Sequence, residues 1–228
     1  MISMKNVYKT YGNGVTALNG INVEIDKGEF VYVVGPSGAG KSTFIKLIYR
    51  EEKATAGDIV INEKELSTIK EKQVPMLRRD IGVVFQDFKL LPKLTAYENV
   101  AFAMEVIEAP PSTMRTRVLE VLDLVGLKNK SRFLPDELSG GEQQRISIAR
   151  AIVNRPKIVI ADEPTGNIDP DTSWEIMQIF EEINRRGTTL IMATHSREIV
   201  DTIRKRVIAI ENGTIARDEA LGEYGYEI

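Results

Sequence analysis

One segment of the chain has the spacing of a phosphate-binding loop (P-loop). Its residues, Gly35, Pro36, Ser37, Gly38, Ala39, Gly40, Lys41 and Ser42, fit the pattern G-x-x-x-x-G-K-[ST]. In such a loop the glycines let backbone amides turn inward around phosphate oxygens. The lysine reaches the outer phosphates, and the serine hydroxyl can bind Mg²⁺. With Thr43 added as a further contact, this segment predicts a protein that binds a nucleoside triphosphate.

A second segment also has the character of an anion site. It begins Leu138-Ser139-Gly140-Gly141-Glu142 and leads into a helical pattern with an apolar face. A serine hydroxyl and bare backbone amides at a helix N-terminus together attract anions. Two such sites in one chain allow two interpretations: the protein binds two phosphate groups, or it grips one nucleotide from both sides.

Two adjacent carboxylates, Asp162 and Glu163, close the apolar run Ile158–Ala161. Neighbouring side chains of a strand point to opposite faces, so the two can do different work. Asp162 would hold Mg²⁺ or its water, and Glu163 would polarise an attacking water as general base. The alternative is a solvated strand end followed by a turn at Pro164.

Short apolar runs predict the strands that must position these residues. Phe30–Val34 directly precedes the P-loop, and its continuous apolar character suits a strand buried on both faces. Residues 21–25 alternate between apolar and polar, which predicts a half-buried strand. Further apolar runs cover residues 81–85, 158–161, 190–193 and 207–210. Helical patterns separate several of them, which favours a mainly parallel α/β sheet.

The region from about Asp87 to Asn154 differs from the rest of the chain. Residues 98–108, 112–125 and 141–153 carry helical periodicity, with breaks at Pro110-Pro111 and Gly126. This predicts a helical block inserted into the α/β core. The charged stretch 63–79 is expected to be solvated surface.

Composition excludes several classes of protein. The 228 residues carry a net charge of −3 and no cysteine, so disulfide and thiolate chemistry are excluded. The acidic balance argues against nucleic acid as the main partner. Apolar runs are far shorter than the roughly 20 residues that span a bilayer. We expect a cytosolic protein, and if it works at a membrane, another chain must cross that membrane.

These motifs together resemble the ATP-binding-cassette (ABC) ATPases, whose signature motif is LSGGQ or LSGGE. In that family two subunits sandwich ATP, with the P-loop of one facing the signature of the other. The resemblance implies a P-loop NTPase with a RecA-like mixed-sheet core, N-terminal antiparallel strands and an inserted α-helical subdomain. It implies one domain over 1–228, with the nucleotide-binding core at 1–86 and 156–228 and the helical subdomain at 87–155.

The resemblance also assigns roles that the residues alone would not reveal. It makes Gln86 a Mg²⁺ and water contact that begins a loop sensing a membrane partner, and His195 a contact of the γ-phosphate. It makes Tyr11 the aromatic that stacks on adenine, and Asn167-Ile168-Asp169 a loop along the dimer interface. Taken alone, Gln86 would be read as polar capping, His195 as an ordinary imidazole and Tyr11 as packing.

Three segments narrow the resemblance to the cell-division branch, the FtsE family. They are the region after Gln86, residues 35–50, and the tail 222–227. The branch implies a homodimer on the cytoplasmic side of the membrane, at the division site. Its integral membrane partner would be FtsX-like and would switch on a peptidoglycan hydrolase outside the cell. The apolar residues Phe88, Leu90, Leu91 and Leu94 would either receive that partner or pack the helical block.

Other functions remain open at this point. Lipoprotein-release and macrolide-export ATPases share the same general build. Soluble ABC proteins of translation or DNA repair usually carry two cassettes or long coiled-coil insertions, and neither occurs here. A nucleotide-binding scaffold with little turnover is a further class, although the intact Glu163 and His195 favour an active enzyme.

Overall fold

The computed structural model describes residues 1–225, so Tyr226 and Glu227 of the tail lie outside the described residues. The chain divides into two compact units. Among the described residues, unit 1 comprises 1–78 and 189–225, and unit 2 comprises Arg79–Thr188.

Strands and helices follow one another along the chain in this order: β1 (Ile2–Thr10), β2 (Thr16–Ile25), β3 (Phe30–Val34), α1 (Lys41–Ile48), β4 (Ala56–Ile61), β5 (Lys64–Glu65), α2 (Val74–Arg78), β6 (Ile81–Val84), α3 (Ala96–Glu105), α4 (Pro111–Leu124), α5 (Gly140–Ile152), β7 (Ile158–Asp162), α6 (Pro170–Arg185), β8 (Thr189–Ala193), α7 (Arg197–Thr202), β9 (Arg206–Glu211) and β10 (Thr214–Glu219). The predicted strands and helices are all present, with ends that shift by a few residues.

Unit 1 contains strands of two kinds. β1 pairs antiparallel with β2 and with β4, and β5 pairs with β4. In the other group β3 lies between β8 and β9 and is parallel to both, while β10 runs antiparallel to β9. All five residues of β3 are buried, as expected for a strand that is flanked by parallel neighbours and covered on both faces.

Unit 2 combines two parallel strands with helices. β6 and β7 pair in parallel, and α3, α4 and α5 pack against one another. α5 also contacts β6 and α6. Its apolar residues Ile146, Ile148 and Ala149 are fully buried, so α5 is the central helix of this unit.

The structure confirms the predicted α/β fold with a mixed sheet and N-terminal antiparallel strands. The charged stretch 63–79 is less simple than expected, because Leu66, Val74 and Leu77 within it are buried. The compact units divide the chain at 78/79 and 188/189, whereas the predicted subdomain spans 87–155. That subdomain assignment stays a prediction.

Candidate functional site

The P-loop connects β3 to α1 in unit 1 and adopts a conformation that requires glycine at two positions. Gly35 and Gly40 have φ angles of 147° and 112°. A Cβ on Gly35 would lie 2.1 Å from the carbonyl oxygen of Ile210, and one on Gly40 would lie 2.5 Å from that of Ala17. Since backbone cannot give way as a flexible side chain does, larger residues are excluded at both positions.

Lys41 lies across this loop. Its ammonium donates hydrogen bonds to the carbonyl oxygens of Gly35 at 2.7 Å and Pro36 at 3.0 Å. Ser37, Gly38 and Ser42 are exposed, whereas Thr43 is buried. The Lys41 ammonium and the exposed residues of the loop therefore lie close together, and their role in binding phosphate stays a prediction.

Tyr11 and His195 belong to the same unit as the P-loop. The hydroxyl groups of Tyr11 and Thr43 share a hydrogen bond of 3.1 Å, which ties the half-buried ring to α1. The Lys9 ammonium lies 4.8 Å from the centroid of the ring, a cation–π contact. His195 is exposed just after β8. Because Val33 is in register with Ala193, the P-loop and His195 both follow the carboxyl edge of unit 1's parallel strands.

Gln86, Asp162 and Glu163 meet in unit 2 for the same topological reason. β6 and β7 are parallel with Val84 opposite Ala161, so the residues that follow them lie at one edge. Glu163 adopts a left-handed φ of 49°, and its carbonyl oxygen accepts a hydrogen bond from the Gly166 N–H at 3.1 Å. A Cβ on Gly166 would lie 3.0 Å from the amide nitrogen of Gln86. Gln86 thus lies against the turn that follows Glu163.

Ser139 caps α5 as the sequence predicts. Its hydroxyl accepts the Glu142 N–H at 3.3 Å, while the Glu142 carboxylate accepts the Ser139 N–H at 3.1 Å, a reciprocal capping box. A hydrogen bond from Lys130 lowers the pKa of Glu142, against the opposing effect of burial. Ser139 and Gly140 are exposed, so this helix end is open to an external group.

Asp169 has a local structural role that the sequence did not reveal. It is the N-cap of α6, and its carboxylate accepts the Thr172 N–H at 2.9 Å. This hydrogen bond lowers the pKa of Asp169. Thr172 also touches the signature: a Cβ on Gly141 would lie 2.2 Å from Thr172 Cγ2. The beginnings of α5 and α6 are therefore in close contact.

Comparisons with known proteins decide the family. A family model described as ABC transporter matches residues 18–166. The chain is 73% identical to the cell division ATP-binding protein FtsE of Bacillus subtilis (strain 168), over 99% of both chains. It is 63% identical to FtsE of Streptococcus pneumoniae, over 100% of this chain and 99% of that protein. The chain belongs to the FtsE family of ABC ATPases.

A solved structure supports the fold of this FtsE-family chain. A dimeric structure of the ATP-binding cassette MJ0796, in a post-hydrolysis state bound to ADP and Pi, matches with a TM-score of 0.88. It is 37% identical and the match covers 99% of this chain and 100% of that one. Across the described residues 1–225, the FtsE-family chain forms no helix with the length and apolar character needed to cross a bilayer.

Sequence reasoning assigned no role to several buried polar residues of this FtsE-family member. Asn99 and Gln144 are both 0% exposed, and Arg150 is half-buried on α5. Their side chains hold backbone carbonyls of loops that flank the candidate site residues. The only sign of these residues in the sequence is a polar residue at a position where the helical pattern expects a buried apolar one. Such a position indicates a buried polar group but does not identify its hydrogen-bond partner.

Proposed function

We propose that two copies of this chain bind ATP between them and use its hydrolysis to drive an FtsX-like integral membrane protein in cell division. The observation that carries the proposal is the P-loop, with Lys41 lying across it, in a chain 73% identical to an FtsE over nearly its whole length. Co-purification from membranes, with identification of the spanning protein that is retained, tests the proposal as a whole.

Unit 1 supplies the residues that would bind the nucleotide. The backbone amides of residues 35–43 would surround the phosphates, and Lys41 would exchange its carbonyl partners for phosphate oxygens. Tyr11 would stack on adenine, with its ring held by Thr43 and Lys9. His195 would contact the γ-phosphate, and its exposure at the edge where the P-loop begins supports that role.

Unit 2 supplies the residues that would act on the attacking water. Glu163 would accept a proton from that water as the water oxygen bonds to the γ-phosphorus and the bond from this phosphorus to ADP breaks. Gln86 would help to orient the water, and its contact with the turn after Glu163 supports a shared task. Positioning and charge stabilisation account for most catalysis of phosphoryl transfer, so small changes in this turn should matter.

The donor set fits Mg²⁺ that arrives with a nucleotide. Ser42, Asp162 and Gln86 offer hydroxyl, carboxylate and amide oxygens, the hard ligands that Mg²⁺ prefers. Among the described residues, no cluster of three or more acidic, histidine or cysteine side chains could hold a metal. Mg²⁺ at the proposed site would take its remaining ligands from phosphates and water. Bound there, Mg²⁺ would neutralise charge on the phosphates.

The signature would complete the ATP site of a second copy. Ser139 and Gly140 are exposed, so the N-terminus of α5 can approach an external phosphate. Glu142 faces inward to Lys130 and Ser139, which leaves the amides of Gly140 and Gly141 as donors. Asp169 would lie along the same dimer interface. Solved relatives described as dimeric support the arrangement.

The membrane role is proposed from the family. The chain would be a peripheral protein on the cytoplasmic face of the cell membrane at the division site. Its FtsX-like partner would carry the mechanical signal outward to a peptidoglycan hydrolase. The relatives named FtsE span the whole chain, which favours this role over a lipoprotein-release or macrolide-type exporter.

The segment after Gln86 is the proposed docking surface for the partner. Phe88, Leu90, Leu91 and Leu94 are each half-buried, so every one of them retains some apolar surface for a partner. The loop is nevertheless ordered by its own chain. Asn99 accepts the Leu91 N–H at 2.8 Å and donates to the carbonyl oxygens of Leu91 and Leu94.

Arg150 fixes the other end of this surface. Its guanidinium donates to the carbonyl oxygens of Lys89 at 2.6 Å and Phe88 at 2.9 Å. Phe88 and Lys89 both have left-handed φ angles, of 59° and 50°, so these bonds hold a backbone that would otherwise relax. A docking surface that is ordered before binding loses less entropy when a short cytoplasmic helix of the partner binds.

Replacing Leu90 and Leu91 together with serine is expected to weaken co-purification with the membrane partner by on the order of 10-fold, because two apolar contacts are lost. ATP binding and thermal melting should change little, since both leucines are only half-buried. Leu221→Ser is the matched control, because Leu221 is 73% exposed and lies in unit 1. Unchanged co-purification would remove the docking role, and a collapsed melting curve would assign the leucines to the core.

A further inference from the structure

Gln144 is a buried amide one turn into the signature helix α5. It is 0% exposed, and its Nε2 donates a hydrogen bond of 2.8 Å to the carbonyl oxygen of Pro164. Pro164 directly follows Glu163, and it too is buried. The side chain therefore joins α5 to the turn that carries the proposed general base.

That turn has a backbone conformation that needs support. Glu163 has a left-handed φ of 49°, a region that costs energy for residues with a Cβ and persists only where surrounding contacts hold it. The contacts that hold it include the Gly166 N–H bond to the Glu163 carbonyl and the Gln144 bond to the next carbonyl. The Gln144 bond comes from another element, the helix α5.

Packing alone does not account for an amide at position 144. Among the described residues, nothing donates a hydrogen bond to Gln144 Oε1, although this oxygen is buried. A buried acceptor without a donor destabilises the fold. A methionine would fill a similar space without that cost. What the Gln144 amide adds, compared with methionine, is the hydrogen bond that its Nε2 donates to the carbonyl oxygen of Pro164.

We propose that Gln144 is a positioning residue for Glu163. By holding the Pro164 carbonyl, it sets the backbone from which the Glu163 carboxylate is aimed at the attacking water. This inference rests on the proposed role of Glu163 as base. Gln144 does not touch the nucleotide in this scheme, so its loss should affect the rate of the chemical step and leave nucleotide affinity unchanged.

The test is a comparison of full-length chains carrying Gln144→Met or Ser147→Ala. Ser147 is a buried α5 residue whose hydroxyl has no hydrogen-bond partner within residues 1–225, so it controls for disturbed packing. Gln144→Met is expected to lower kcat for ATP about 10-fold with KM within about twofold. Ser147→Ala should leave both near normal. An unchanged kcat for Gln144→Met would overturn the proposal. So would a fall in kcat that is explained by unfolding, seen as a melting temperature of Gln144→Met close to or below the assay temperature.

A double-mutant cycle with Glu163→Gln separates this inference from the proposed function. If Gln144 acts through Glu163, Gln144→Met should not slow the residual hydrolysis of the Glu163→Gln chain any further. A further 10-fold loss would show that Gln144 acts elsewhere and would overturn the proposal. Near-normal hydrolysis by Glu163→Gln alone would instead show that Glu163 is not the general base. The proposed positioning role of Gln144 would then fail together with the proposed role of Glu163.

The variant Gln144→Glu tests the hydrogen-bond donor at position 144 directly. It also replaces Gln144→Met as the test if that variant folds poorly. Burial raises the pKa of a carboxyl group, and only its protonated form can donate to Pro164. The kcat of this variant, divided by that of the unsubstituted chain, should therefore rise as pH falls. A ratio that falls as pH falls would count against the donor, because protonation would then impair the variant instead of restoring its hydrogen bond.

Discussion

Replacing Glu163 with glutamine is expected to lower steady-state ATP hydrolysis by about 10²-fold or more while Mg-ATP binding persists. Glutamine keeps the shape of the side chain but cannot accept a proton from water. The proposed binding residues Lys41, Ser42 and Asp162 are untouched. Removing a negative charge that would face the γ-phosphate should also favour an ATP-bound dimer that no longer turns over.

Two measurements on one preparation check this prediction. Phosphate release gives the rate, and size-exclusion chromatography in Mg-ATP gives the fraction of dimer. Glu105→Gln is the matched control, because Glu105 is an exposed glutamate on α3 with no part in the proposed chemistry. If Glu163→Gln hydrolyses ATP at a rate close to that of the control, Glu163 is not the base.

Mixing two inactive chains, Lys41→Ala and Ser139→Arg, is expected to restore ATPase activity. In the mixed dimer one composite site carries both defects, and the other combines an intact P-loop with an intact signature. At equal amounts about half of the dimers are mixed, so recovery should approach about a quarter of the unsubstituted rate. The physical reason is that the exposed end of α5 completes the site of the other copy.

A chain with both substitutions provides the control for that experiment. Mixed with Lys41→Ala, it forms dimers in which neither P-loop is intact, so no activity should return. Differently tagged chains show by co-purification that mixed dimers form. Formation of Lys41→Ala and Ser139→Arg heterodimers without any recovery at any ratio would count against a site shared between two chains.

Local pattern was sufficient to predict the elements that carry the motifs. The P-loop lies on consecutive residues between an apolar run and a helix, so its position did not depend on contacts distant in sequence. The parallel strands β3, β7 and β8 were predicted from continuous apolar runs because burial on both faces leaves no alternation. Within each unit the chemistry-bearing residues then gather at a strand edge through topology alone.

Contacts between residues far apart in sequence could not be predicted from local sequence periodicity. Gln144 and Pro164 are separated by 20 positions and Arg150 and Lys89 by 61, and no local periodicity links them. Leu77 was expected on a solvated surface because charged neighbours surround it, yet tertiary packing buries it. Asp169 was predicted as an interface residue, and its cap of α6 became visible only once Thr172 was placed.

The close contact between α5 and α6 restricts the order in which substitutions at positions 141 and 172 can be tolerated. Alanine at Gly141 would place its methyl 2.2 Å from Thr172 Cγ2, far inside the separation that non-bonded carbons tolerate. Serine at 172 would remove that methyl and keep the backbone N–H that binds Asp169. A lineage can therefore change 172 first at little cost, whereas changing 141 first meets a steric barrier. The two positions are therefore expected to behave as an epistatic pair, in which Thr172 restricts residue 141 to glycine independently of any phosphate that approaches it.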